Sequence, residues 1–298
     1  MKNKTFLNVL AICLITIWGI SYLSIKVVVM EINPVLTAFY RFFIASIIMF
    51  VFLKFKYPKE KILNEDKLKI VLGGFFGVAL YFLLENYSVY FTSAANVSIL
   101  IATIPVFTLI TQRIFFKEKI TIPKIAGTSI SIIGIVFVIA AKGEINLFST
   151  GLAGDLMAIG AAICWVIYNM VSCNFKGKYK SITITTYQLI CGCIFLSPSL
   201  LIFPMKIPSL TASLNILFLA VVCSAISYVV YVYCLDHLGA TILTNYINIQ
   251  PIISILAAKI ILNESITTNQ IIGSVIIILG VSIVTSGNYK YNESNNAI

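Results

Sequence analysis

Long apolar runs alternate with short polar breaks along the whole chain. Read with a window of about nineteen residues, the 298 residues resolve into ten apolar spans. They lie at about 6–30, 34–53, 68–90, 93–113, 122–141, 153–173, 181–203, 212–234, 240–262 and 268–287. Each approaches the roughly 20 residues that carry an α-helix across a hydrocarbon core about 30 Å thick. A helix pairs its own backbone groups, as lipid demands of a spanning segment. The pattern predicts an all-α integral membrane protein of ten transmembrane helices.

Composition narrows the choice further. Hydrophobic residues make up 59% of the chain and charged ones 11%, with a mean hydropathy of +1.00. A soluble domain carries about 25% charged residues, so this chain has too few to wet the surface of a 32.9 kDa globule. A soluble enzyme and a disordered protein are both excluded. The net charge of +10 does not point to nucleic acid. Its lysines gather between the spans (Lys54, Lys56, Lys59, Lys61, Lys67, Lys69), where cytoplasmic loops meet anionic lipid. With the N-terminus inside, sixteen Lys and Arg fall on inner segments and three on outer ones. That bias places both termini in the cytoplasm and the chain in the cell membrane. The basic start at Lys2 and Lys4 precedes an apolar run without a small-residue cleavage site, which reads as a first membrane helix.

Metal and cofactor chemistry find little support. Of seven cysteines only Cys191 and Cys193 come close together, inside an apolar run, and they read as small buried side chains. The single histidine, His237, removes His-based metal sites and most catalytic triads. No P-loop, dinucleotide fingerprint or zinc motif occurs, so no cofactor and no ATP drive are expected.

The chain also repeats. A shift of 146 residues aligns Ala94–Val138 with Ala240–Val284, with thirteen of forty-five positions identical. The informative matches are Pro105/Pro251, Glu118/Glu264, Thr121/Thr267, Gly127/Gly273 and Gly134/Gly280. A shift of 147 superposes Trp18 on Trp165 and Tyr40 on Tyr187. The two copies divide the chain into 1–145 and 146–298, five spans each. Five is odd, so the second copy must enter the membrane inverted. Inverted repeats are typical of secondary transporters, with the site at the interface of the halves.

The repeated pattern, Pro, twelve residues, Glu-x2-Thr-x5-Gly-x6-Gly, joined by Trp18-Gly19 and Arg41, resembles the EamA-type members of the drug/metabolite transporter superfamily. The resemblance covers essentially the whole chain. It implies a ten-helix exporter or permease for amino acids or other small metabolites. It further implies a central cavity enclosed by spans 1–4 and 6–9, with spans 5 and 10 peripheral. The second half departs from the pattern, with Gln188 opposite Arg41 and Trp165-Val166 in place of Trp-Gly.

Residue by residue, Pro105 and Pro251 each remove a helical hydrogen bond, freeing the carbonyl of Ile101 or Ile247. Interrupted helices at matching places in two halves point to a transport site, though a kink used only for packing has the same signature. Polar stripes occur at helical spacing: Trp18 and Tyr22; Tyr81, Glu85 and Ser88; Trp165, Tyr168, Asn169 and Ser172. Ser224, Ser227, Tyr228 and Tyr231 form another, as do Thr241, Asn245 and Asn248. Lipid would not tolerate Asn or Glu, so these stripes face inward, toward substrate or toward neighbouring helices. Lys26, Arg41 and Glu85 are ionisable groups inside spans. Glu85 would bind a substrate ammonium or a proton while Arg41 holds a carboxylate; a permanent ion pair of Glu85 with Arg41 or Lys26 is the competing reading. Glu118 and Glu264 precede helix starts, with Thr121 and Thr267 as caps and Gln270 completing a capping box. The resulting expectation is a secondary active or facilitative transporter of small metabolites, working by alternating access around a central cavity. Its partners are a small-molecule substrate, membrane lipid and protons as coupling ion. The alternative is an integral-membrane enzyme acting on a lipid. Substrate identity and oligomeric state are not legible in these patterns.

Overall fold

A computed structural model describes residues 4–92, 94–115, 117, 120–140, 152–262, 268, 271–273 and 275–284. Among the described residues no strand occurs, and helical residues fall within each of the predicted spans. Among the described residues six helices are long and apolar enough to cross a membrane, those of spans 1, 2, 3, 6, 7 and 8. The helices of the other four spans are shorter or broken.

Local chemistry sets where several of these helices start and stop. Span 2 begins with Asn33, whose side chain accepts from the Val35 N–H at 2.9 Å, and Pro34 sits at the first helical position. This pairing satisfies a free donor where proline has none to lose. The helix runs to Lys56, with Lys54 and Lys56 in its last turn. Span 8 starts at Ser209, which caps Ala212. It ends at Gly239, whose φ of +80° lets the chain reverse directly into span 9.

Two kinds of irregularity recur in both halves. Span 4 is split into Ala94–Ile101 and Ile104–Phe115, and span 9 into Ala240–Tyr246 and Gln250–Leu262 around a 3₁₀ turn, Ile247–Ile249. Pro105 and Pro251 each occupy the second residue of the restarted helix. The break is therefore a stop and restart just before the proline, rather than the mid-span kink read from the sequence. π-helical turns also interrupt span 3 at Phe75–Leu80 and span 8 at Leu219–Ile226. Adding 146 to the first range gives 221–226, inside the second.

Spans 5 and 10 cross at the repeated glycines. A methyl group at Gly127 would lie 2.6 Å from the Gly280 carbonyl oxygen, and one at Gly134 would lie 2.8 Å from that of Gly273. Each glycine meets the repeat-equivalent of the other. Small residues there allow backbone-to-backbone contact.

The outward faces are apolar: Phe55, Leu201, Ile207 and Ile260 are among the strongly exposed large side chains. The interior holds Arg41, Glu85, Asn86, Gln188, Asn245 and Asn248, all buried. A polar inside and an apolar outside suit lipid as solvent. This is a multi-pass membrane protein. The repeat boundary at 145/146 and the residues Glu118, Glu264, Thr267 and Gln270 lie outside the described residues. The Thr121 hydroxyl makes no hydrogen bond. Only its carbonyl opens the helix of span 5, accepting from Lys124 at 3.0 Å, so side-chain capping there is not formed.

Candidate functional site

At the centre of the molecule lies a cavity of about 20 Å³ lined by Trp18, Ser21, Tyr22, Arg41, Tyr81, Phe82, Glu85, Ile101, Ile104, Trp165, Ile247 and Gln250. That volume holds about one water molecule and no organic solute. Its wall is drawn from spans 1, 2, 3, 4, 6 and 9. Ile101 and Ile104 flank the break in span 4, and Ile247 and Gln250 bound that in span 9. Both interrupted helices thus turn their breaks to the same point. The two repeat-equivalent tryptophans meet here as well: the rings of Trp18 and Trp165 pack edge to face with centroids 5.4 Å apart.

Each polar wall residue is held by a neighbour. Trp18 Nε1 donates to the Cys223 carbonyl at 3.0 Å, a carbonyl within the π-helical stretch of span 8. Gly19, next to it, brings span 1 onto the restarted helix of span 9, where Ser254 Oγ donates to the Gly19 carbonyl at 2.9 Å. Tyr22 points its hydroxyl at Gln250 Oε1, 3.4 Å away. On span 3, Tyr81 Oη donates to Glu85 Oε1 at 2.8 Å, one helical turn on.

Arg41 enters from span 2. Its Nε donates to Ser224 Oγ at 2.6 Å, and its guanidinium lies over the Phe82 ring at 4.3 Å. Arg41 Nη1 is buried without a hydrogen-bond partner. A buried guanidinium nitrogen left unpaired is costly, and it marks the place where an anionic group would be most stabilised. Arg41 and Glu85 share the cavity but form no direct ion pair. Lys26 lies one turn beyond Tyr22 and donates instead to the Val89 and Thr92 carbonyls at 2.8 and 3.2 Å. There it caps the C-terminal end of the span 3 helix, where a cation meets the negative pole of the dipole. In this structure Glu85 is paired with neither Arg41 nor Lys26.

Behind the wall sits a second layer. Trp165 Nε1 donates to Tyr231 Oη at 2.9 Å, and Tyr231 Oη donates to Asn169 Oδ1 at 2.8 Å. Tyr228 Oη donates to the Gly77 carbonyl at 2.8 Å, inside the π turn of span 3. Tyr168 packs on Trp165 at 5.0 Å. These four residues support the cavity without lining it. Asn245 and Asn248 form a separate buried pair, Asn248 Nδ2 reaching Asn245 Oδ1 at 3.5 Å. Of the candidates from sequence, Trp18, Tyr22, Arg41, Tyr81, Glu85 and Trp165 therefore share one wall.

Comparison with known proteins decides what family this architecture represents. The EamA-like transporter family matches residues 5–140 and again residues 152–286. The chain belongs to the EamA-like transporter family. The family pattern thus matches twice in succession along the chain. An uncharacterized transporter of Archaeoglobus fulgidus is 30% identical over 296 residues, covering 97% of this chain and 100% of its own length. The uncharacterized transporter YoaV of Bacillus subtilis is 26% identical over 290 residues, covering 95% and 97%. A protein of Streptantibioticus cattleyicolor named a probable terminal-alkyne amino-acid exporter is 24% identical over 222 residues, covering 74% and 73%. A solved crystal structure superposes with a TM-score of 0.76 at 15% identity, over 95% of this chain and 98% of its own; it shares the fold.

Within this EamA-family chain, sequence reasoning missed Gln250, Phe82 and Ser21 as wall residues. Gln250 had a usable signal, since it directly precedes Pro251 at the second break. Ser224 lay in a predicted stripe, but its partner Arg41 is 183 residues away. No spacing rule joins them.

Proposed function

We propose that the chain is a secondary transporter of small zwitterionic metabolites, amino acids foremost, that works by alternating access. All ten spans cross the cell membrane as two inverted five-helix repeats, with both termini cytoplasmic. The observation that carries this reading is the central cavity, where two helix breaks, an unpaired Arg41 nitrogen and the Glu85 carboxylate converge. A carboxylate on Arg41 would satisfy Nη1, and an ammonium would meet Glu85. Trp18, Trp165 and Tyr81 would enclose the apolar remainder of the solute. Support for amino acids as cargo comes from the name of the Streptantibioticus relative, and that name also favours export.

At about 20 Å³ the cavity must expand before it admits such a solute, so the substrate-bound state is a different packing of the same helices. Purified protein screened with a panel of amino acids and amines tests the reading. A zwitterionic ligand should raise the melting temperature, by about 2.7 kcal/mol of stabilisation at a hundredfold excess over Kd. Arg41→Gln should abolish that rise. A rise of equal size in the variant would remove Arg41 from the binding role.

A further inference from the structure

We propose that the moving units of the transport cycle are two bundles that each mix both sequence repeats, with Lys26 and Asn86 as the outer gate between them and Tyr231 and Asn169 as the inner gate. The proposal rests on the transporter reading and the orientation given above.

The first bundle contains spans 3, 6 and 7. A methyl group at Gly74 would lie 2.6 Å from the Gln188 carbonyl oxygen, one at Gly192 would lie 2.9 Å from the Gly74 carbonyl oxygen, and one at Gly77 would fall against the Tyr168 ring. Backbones this close cannot slide without parting. Their loops are stapled at the inner end: Lys178 pairs with Glu65 and Asp66, and Tyr179 Oη donates to Asp66 Oδ2 at 2.7 Å.

The second bundle contains spans 1, 2 and 8 with the restarted half of span 9. Gly19 meets Ile253, Trp18 bonds the Cys223 carbonyl, and Arg41 bonds Ser224. Its staple is at the outer end, where Glu31 accepts from the N–H and hydroxyl of Ser209 at 2.6 and 2.7 Å. Glu31 and Lys178 lie 147 residues apart, so the two staples occupy equivalent places on opposite faces.

Contacts between the bundles differ in kind. At the outer end they are Lys26 Nζ to the Val89 and Thr92 carbonyls and Asn86 Nδ2 to the Pro34 carbonyl at 3.0 Å. Toward the inner end they are Trp165 to Tyr231, Tyr231 to Asn169, Tyr228 Oη to the Gly77 carbonyl and the Gly177 N–H to Asp236 Oδ2. Spans 2 and 7 pack closely where the bundles meet, and their outward, lipid-facing side carries an open groove lined by Phe39, Phe43, Ile47, Phe50, Ile190 and Ile194, among others. Side-chain hydrogen bonds exchange with water at small net cost, so contacts of this kind can open and close as the bundles rock as rigid bodies.

Hydrogen–deuterium exchange on the full chain in lipid nanodiscs tests this without any substrate, so absence of measurable flux would leave the outcome standing. Lys26→Gln frees the outer gate and shifts the population outward-open. Peptides over 165–173 and 228–235, at the far end, should then exchange about tenfold more slowly. Tyr231→Phe should do the converse, slowing exchange over 26–34 and 86–92. Asn86→Ala and Asn169→Ala repeat the test at each gate if either first variant fails to fold. Glu31→Gln, inside one bundle, should change exchange only at its own loop. Faster exchange confined to the neighbourhood of each gate substitution, with the far end unchanged, would overturn the proposal.

Discussion

Arg41 and Glu85 are both buried charges in a medium that penalises them, and they are relieved in different ways. Glu85 accepts from Tyr81 within its own helix. Arg41 takes a hydroxyl from span 8 and an aromatic face from span 3 but keeps one nitrogen unpaired. Glu85→Gln should fold, because an amide oxygen still accepts from Tyr81. If Glu85 carries the coupling proton, this variant should lose the pH dependence of transport, read from flux between pH 5.5 and 8. Unchanged flux with unchanged pH dependence would assign Glu85 a structural role. The depth of these residues was legible in the sequence, because position along a span fixes it. Their direction around the helix was not. Lys26 sits at the depth where it would reach Glu85, yet it faces the end of span 3 and caps carbonyls.

Among elements, the broken spans 4 and 9 were legible and the π turns of spans 3 and 8 were not. Proline announces itself by a missing N–H and a ring that clashes with the preceding turn. A π turn needs only one extra residue in the helix, and Phe75–Leu80 has no composition that distinguishes it from an ordinary apolar helix. Two expectations belong here. Pro251→Ala supplies the missing donor and lets the helix run through 247–250, so it should slow flux while the melting temperature holds or rises. A lowered melting temperature with normal flux would mean that the break serves packing alone. Gly280→Ala places a methyl group 2.5 Å from the Gly127 carbonyl oxygen. It should force spans 5 and 10 apart and destabilise the protein by about 1–3 kcal/mol, read by thermal melting in detergent. The repeated Gly-x6-Gly is visible in the sequence; only the structure shows that it packs against the equivalent helix of the other half.

At the scale of the whole molecule, the sequence repeat recurs in the structure as paired breaks, paired π turns, paired tryptophans and paired loop staples. The staples show how little of a fold's chemistry a repeat must preserve, since Glu31 accepts at one face where Lys178 donates at the other. Hydrogen bonds from Lys178 and Tyr179 hold the Asp66 carboxyl down to about 2, below the usual value near 3.9. The same contacts raise Lys178, and Ser209 lowers Glu31. A depressed carboxyl stabilises the fold above its unfolded value and stops doing so as pH falls through its folded value. Asp66→Asn should therefore lower the melting temperature equally from pH 5 to 8. The difference from the parent should vanish as pH drops from about 4 to about 2.

The central claim is that the cavity between the halves carries solute across the membrane. Purified chain in proteoliposomes loaded with labelled amino acid should exchange it across the bilayer at a saturable rate, and Arg41→Gln should reduce that rate about tenfold or more, as the loss of a charge-assisted hydrogen bond implies. Passage of every tested amino acid at the rate of protein-free vesicles, in protein shown to be folded, would contradict the account.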